Sequence, residues 1–326
     1  MKTTKVKNLV YDSQFPQKAI SNLSFFSYIN EEIQKLSDTG QPGTAQNYRA
    51  AMNSFMRFIK DDNFPLSSLT KEITQKYELW LRNKYLSRNT ISFYMRQLRS
   101  IYNKAVKANL TEQIFPFENV YTGIDKTKKR AVDVSVITKL ISLDLSYSSS
   151  LSFARDLFLF SFYMRGMAFV DMAYLKHDNI RNGVIRYIRH KTDITMEVKV
   201  EQCISDIINR YASKSKLGYL LPIITKTETE QAYNQYKNKR SYYNKLLKKL
   251  SQLSETDILL TSYVSRHSWA TIARDMNISL PVISAGMGHS SEAMTRIYLT
   301  SLEASTIDQA NSTILNRIQH SQESTK

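Results

Sequence analysis

Apolar residues recur at three- and four-residue intervals through much of the first third of the chain. In TAQNYRAAMNSFMRFIK they set Ala45, Tyr48, Met52, Phe55 and Ile59 on one face of a helix. NTISFYMRQLRSIYNKAVKANL repeats the pattern with Ile91, Met95, Leu98, Tyr102 and Ala105, while its other faces carry Arg96, Arg99, Lys104 and Lys107. Between these two, SSLTKEITQKYELWLRNKY predicts a third helix, with Ser68 or Thr70 as its cap. Strand alternation is absent from this region, so residues 20 to 110 predict a small helical bundle.

The periodicity breaks at YTGIDKTKKRAVDVSVITKL. Gly123 and the basic run Lys126, Lys128, Lys129 and Arg130 have the composition of a linker. Such a segment can follow a nucleic-acid backbone or serve as an exposed tether. Beyond it, VSVITKLISLDL and LSFARDLFLFSFYM read as helices. GVIRYIRHKTDITMEVKV changes period: Val184, Tyr187, Ile188, Ile194, Val198 and Val200 predict two β-strands around a turn at Lys191, Thr192 and Asp193. Helices resume at ISDIINRYASK, QAYNQYKNKRSYYNKLLKKLSQL and SYVSRHSWATIARDM, and another starts near Ser279, Leu280 and Pro281. A last amphipathic helix is predicted over LEASTIDQANSTILNRI, with Ile307, Ala310, Ile314 and Ile318 on one side.

Composition narrows the class. A chain of 326 residues with 42% hydrophobic and 23% charged residues suits a soluble protein of two domains. The single cysteine, Cys203, excludes an internal disulfide framework, and its apolar surroundings predict an inert thiol. The basic N-terminus lacks an apolar run, and LFLFSFYM is too short to span a bilayer before Arg165 ends it, so a cytoplasmic protein without membrane partner is expected. Lys and Arg outnumber Asp and Glu by 45 to 29, a net charge of +16. That excess favours a polyanionic partner, nucleic acid first among them. No phosphate-binding G-x-x-x-x-G-K-[ST] loop, carboxylate cluster for paired magnesium ions or zinc-ligand spacing is found, so neither cofactor nor metal is expected.

Candidate chemistry lies near the C-terminus. On the helix of SYVSRHSWAT, Tyr263 and Arg266 are one turn apart. GMGHSSEAMTRIY then places His289 beside two glycines, with Tyr298 nine residues further on. An arginine fork suits two phosphate oxygens, a histidine can donate to another, and a tyrosine oxygen can attack phosphorus. Taken singly, each residue has an ordinary structural reading, as have Trp80 and Trp269 in a core. His177, His190 and His320 carry no motif. Joint spacing separates Arg266, His289 and Tyr298 from these.

The segment 261–299 resembles the C-terminal signature of the tyrosine recombinases, the phage-integrase family: H-x-L-R-H-T, then L-G-H, then a tyrosine nine residues after that histidine. The resemblance covers nearly the whole chain. It implies a mainly α fold with a small antiparallel hairpin or sheet, an α+β catalytic domain, and two domains clamping DNA. The expected organisation is an N-terminal extension (1–20), a helical SAM-like core-DNA-binding domain (21–122), a basic linker (123–132), a catalytic domain (133–300), and a C-terminal helix and tail (301–326) able to dock on a neighbouring subunit. At this length, no additional arm-type DNA-binding domain is expected.

The resemblance also assigns roles. Tyr298 matches the nucleophile, Arg266 the second catalytic arginine, and His289 the histidine of the third box. Lys191, at the predicted hairpin tip, matches the mobile lysine that protonates the leaving 5′-oxygen. Asp171 matches the acidic residue supporting the arginines, and His267 is expected to hydrogen-bond as a further support. Two positions depart from the pattern. Where the first box reads T-G-L-R-x-S-E-L, this chain has RGMAFVDM: alignment on Gly166 puts Ala168 in the arginine position, and Arg165, three residues earlier, is expected to reach the same site. Tyr263 stands where the family has histidine, and its phenol can still donate to a phosphate oxygen. Arg96, Arg99, Lys104, Lys107, Lys126, Lys128, Lys129 and Arg130 are the expected DNA contacts.

The function implied is ATP- and metal-independent cleavage and rejoining of double-stranded DNA at short inverted-repeat sites, through a 3′-phosphotyrosine. A dimer per site and a homotetrameric synapse follow from the resemblance. Two alternatives stand beside it: a type IB-like topoisomerase using the same cleavage, and a DNA-binding protein with degenerate catalysis.

Overall fold

The computed structural model describes residues 23–125, 130–289, 291–293 and 295. The chain divides into two compact units, residues 1–127 and 128–326. Expectations for residues 1–20, Lys126, Lys128, Lys129, Tyr298 and the C-terminal helix fall on residues outside those described.

The first unit is a helical bundle: α1 (Phe25–Asp38), α2 (Pro42–Ile59), α3 (Lys71–Asn83) and α4 (Arg88–Lys107). Ser24, Thr70 and Ser87 cap α1, α3 and α4 by accepting from the backbone N–H of Ser27, Ile73 and Thr90, which supplies partners that helix starts otherwise lack. Of the two cap candidates for α3, Thr70 is the one used. The periodic residues of α2 and α4 point inward as expected, apart from the half-buried Ile59. Helix α1 was not singled out by the sequence, although Phe25, Ile29, Ile33 and Leu36 form its buried stripe. Phe55 meets Tyr77 edge to face at 5.0 Å, and the Tyr77 hydroxyl donates to Ser54 at 2.7 Å, so this buried phenol is satisfied. Glu32 on α1 is buried, yet hydrogen bonds from Lys104 and Lys35 outweigh that burial and hold its carboxyl below the usual range.

The second unit contains α5 (Val134–Ser142), α6 (Ser149–Tyr163), α7 (Phe169–Tyr174), β1 (Ile180–Arg181), β2 (Val184–Ile188), β3 (Thr195–Lys199), α8 (Gln202–Tyr211), α9 (Thr229–Leu253), α10 (Val264–Asp275) and α11 (Leu280–Met287). Helix α6 is buried through Leu157, Phe158, Leu159 and Phe160, consecutive positions that cover its full circumference. Helices α8, α9 and α10 and the sheet pack about the same core. The predicted hairpin is present, with Val184 paired to Lys199 and Ile188 to Thr195, and β1 adds a third antiparallel strand. Alternation sends Ile185, Tyr187, Met196 and Val198 into the core, whereas Ile188 is 61% exposed. Asp156, buried on α6, is paired by Arg155, Arg210 and the Tyr211 hydroxyl, as a buried carboxylate requires. No helix among the described residues is long and apolar enough to cross a membrane.

Candidate active site

Three chain segments meet in the second unit, and glycines set how closely they do so. Helix α6 ends in Arg165 (φ 57°) and Gly166 (φ 75°), two successive left-handed residues. The turn is closed by the N–H groups of Gly166 and Met167, both donating to Ser161 O. Ser161 Oγ and Ser265 Oγ hydrogen-bond at 2.7 Å and tie α6 to α10. An ideal Cβ at Gly166 would lie 2.6 Å from the Arg266 Cα, so only glycine lets the α6 turn and α10 approach this closely. At the other edge, Gly288 (φ 61°) ends α11, and a Cβ there would meet Met196 Sδ at 2.4 Å and Arg189 Cδ at 3.1 Å. The sheet thus reaches the α11 terminus.

Arg266 occupies the junction and is 4% exposed. Its guanidinium donates to Gly166 O at 3.0 Å and to Met287 O at 2.6 Å, and it lies 2.9 Å from His289 Nε2. Because guanidinium can only donate, Nε2 must accept. A neutral His289 therefore carries its proton on Nδ1, which lies 2.8 Å from Thr295 Oγ1. Burial, then the charges of Arg266, Arg189 and Lys191, push the His289 pKa down to about 4. The ring is neutral at physiological pH, and it has three cations within electrostatic reach.

Arg189 belongs to no motif in the sequence. It is 7% exposed, just beyond the end of β2, and its guanidinium donates to Gly288 O, the residue before His289. Nothing in its single-residue context announces burial. The available signal was its position two residues before Lys191, where strand alternation would turn it to the core side. Burial pushes the phenol of neighbouring Tyr187 upward, with Asp171 adding, while Arg189, Arg266 and Arg165 pull against it. All three arginines are within electrostatic reach of that ring.

The remaining predicted residues fall as follows. Arg165 is half-buried, its side chain running past Gly286 of α11, with Cδ 3.7 Å from where a Cβ would stand there. Ala168, at the aligned arginine position, is the N-cap of α7. Lys191 is exposed in the β2–β3 loop. Asp171 accepts from the His190 N–H at 2.9 Å and from the His190 ring at 3.0 Å, next to Arg189 on the hairpin. His190 was read as carrying no motif. Tyr263 caps α10, 44% exposed, and packs edge-on against His267 at 5.2 Å. Cys203 is half-buried and burial raises its thiol, in keeping with an inert side chain.

In the first unit, Arg99 and Lys107 are exposed, and Arg99 also donates to Thr122 Oγ1. Arg96 is half-buried beside Ser92 O. Lys104 pairs with Glu32 at 3.0 Å and lies over the Tyr48 ring, so its charge is engaged within the bundle. Arg130 is exposed.

Residues 24–120 match the phage integrase SAM-like domain, and residues 132–305 match the phage integrase family. The chain belongs to the phage integrase family, the tyrosine recombinases. Its fold is similar to a lambda integrase dimer bound to a COC′ core site (TM-score 0.62, 13% identity, 84% of this chain and 95% of that one). It is also similar to the Tn1549 transposon integrase in complex with transposon right end DNA (TM-score 0.63, 16% identity, 90% and 99%). A lambda integrase tetramer bound to a Holliday junction matches at TM-score 0.63, with 14% identity over 89% and 83%. No curated protein sequence matches the chain.

Proposed function

We infer that this recombinase cleaves and rejoins double-stranded DNA through a 3′-phosphotyrosine at Tyr298. The supporting observation is the Arg266–His289 contact, 2.9 Å long, with Arg189 and Lys191 close enough to shift the histidine. Such a cluster suits a phosphodiester, whose non-bridging oxygens gain charge in the transition state. In this reading Arg266 and Arg189 hold those oxygens, with Arg165 and Tyr263 as further donors at the rim, while His289 accepts from Arg266 and sets its guanidinium in place. Arg189 takes the part of the arginine that Ala168 replaces.

The step balances without a co-reactant. Tyr298 Oη forms a bond to phosphorus as the P–O5′ bond breaks; the phenol proton passes to water, and Lys191 delivers its ammonium proton to the departing 5′-oxygen and regains one from solvent. A free phenol has a pKa of about 10, so the surrounding cations assist its ionisation. The phosphotyrosine conserves the phosphodiester energy, and attack by a 5′-hydroxyl from a partner duplex completes strand exchange without ATP. The dimer and tetramer of the lambda enzyme favour the same assemblies here, acting on short inverted repeats with the two domains clamping the duplex. Arg99, Lys107 and Arg130 are the described exposed cations suited to backbone contacts.

The test is a nicked suicide duplex made from DNA flanking the coding region. A covalent adduct formed by the wild type and absent in Tyr298→Phe supports the reading; no adduct on any flanking junction would sink it. Recombinant junctions, rather than relaxed circles alone, separate a recombinase from a topoisomerase.

A further inference from the structure

The geometry points to Thr295 as a positioning residue: its hydroxyl anchors the Nδ1–H of His289 and so holds the Nε2 lone pair toward Arg266, whose guanidinium it keeps in place for the phosphate. Thr295 is fully buried, although Ser291, Glu292 and Ala293 just before it are exposed. A threonine carries a methyl as well as a hydroxyl, and packing alone could use the methyl. The hydroxyl, however, lies 2.8 Å from Nδ1. Arg266 can only donate to Nε2, so Nδ1 carries the proton and Thr295 Oγ1 is its acceptor. Removing that acceptor takes a hydrogen bond from a part-buried ring and loosens the orientation it fixes.

The consequence reaches further than one ring. Thr295 lies three residues before Tyr298 in the chain. The residue three positions before the proposed nucleophile therefore also supplies the group that orients His289. Thr295 aligns Nε2, the nitrogen that accepts from Arg266. The depressed pKa of His289 agrees with a ring kept neutral in this orientation. This inference rests on the reading of Tyr298 and His289 given above.

The full chain labelled with ¹⁵N-histidine tests it, with His289 assigned by comparison with His289→Gln. Wild type and Thr295→Ser should show a hydrogen-bonded Nδ1 proton on His289, and Thr295→Val, which keeps the packing volume, should lose it. On the nicked duplex, Thr295→Val should bind within about twofold of wild type but cleave about tenfold more slowly, the rate equivalent of one neutral hydrogen bond, and Thr295→Ser should recover most of that loss. An unchanged Nδ1 signal and rate in Thr295→Val, or a Thr295→Ser variant as slow as Thr295→Val, overturns the assignment. An adduct that persists in Tyr298→Phe sinks the nucleophile reading instead; loss of the Nδ1 signal in Thr295→Val would then still support the anchor.

Discussion

Asp171 Oδ1 accepts two hydrogen bonds from one residue, the backbone N–H of His190 at 2.9 Å and the His190 ring nitrogen at 3.0 Å. Asp171 is 4% exposed on α7, and His190 stands between Arg189 and Lys191, with its ring 5.0 Å from that of Tyr174. The carboxylate thereby fixes the backbone between a buried cation and an exposed one. Asp171→Asn weakens both bonds, and hydrogen bonds to a charged group contribute about 1.5–3 kcal/mol. We expect cleavage to slow by roughly ten- to a hundredfold on that scale, with DNA affinity less changed. Single-turnover adduct formation beside a filter-binding isotherm checks this; equal losses in both would count against a hairpin role.

Arg189→Ala should lower the cleavage rate by about 10²–10³, the usual effect of removing one preorganised donor at a developing oxyanion. Arg189→Lys should restore it only partly, because an ammonium lacks the planar fork. Arg165→Ala is expected to be the milder substitution. Rates measured side by side decide, and a larger loss in Arg165→Ala would return the first-arginine role to Arg165.

Lys191→Ala should bind DNA nearly as wild type does while cleaving slowly. If the lysine protonates the leaving 5′-oxygen, a duplex with sulfur at that bridging position bypasses the need, since a thiol pKa of about 8.5 makes it a good leaving group unprotonated. Cleavage of the sulfur-substituted duplex by Lys191→Ala at close to wild-type rate is the expected result. A defect of equal size on both duplexes would contradict the proton-donor role.

The His289 pKa falls from 6.5 in the free side chain to about 4 in the folded protein. Its contribution to stability is therefore fully present above pH 6.5 and is lost as pH falls toward 4, where the unfolded chain binds a proton that the folded one refuses. His289→Gln should flatten this part of the pH profile. Urea midpoints at pH 7 and pH 4.5 measure it; an identical drop in both proteins would show that other groups set the slope.

Gly166→Ala combines a left-handed residue with a Cβ placed against the Arg266 backbone. Gly183, in the same unit, has φ 73° and nothing within 4 Å of its would-be Cβ. Substitution at Gly183 should cost about 1 kcal/mol from backbone strain alone, and at Gly166 about 2–4 kcal/mol once overpacking is added. Denaturant midpoints should order the variants accordingly, and equal midpoints would argue against the close approach.

Much of this molecule was legible in the sequence. Helical periodicity gave α2, α3 and α4 because each buries one face, and strand alternation located the hairpin from Val184 to Val198. The stretch carrying Arg266, His289 and Tyr298 resembles the signature of the family that residues 132–305 match. The tertiary structure decided what no local pattern encodes. Arg189 is buried only because the sheet end packs on Gly288, and Asp171 serves the hairpin only because α7 lies beneath it. Thr295 matters through a single contact to His289. Periodicity reports which face a residue lies on, but which segment arrives to cover that face depends on packing between elements far apart in the chain.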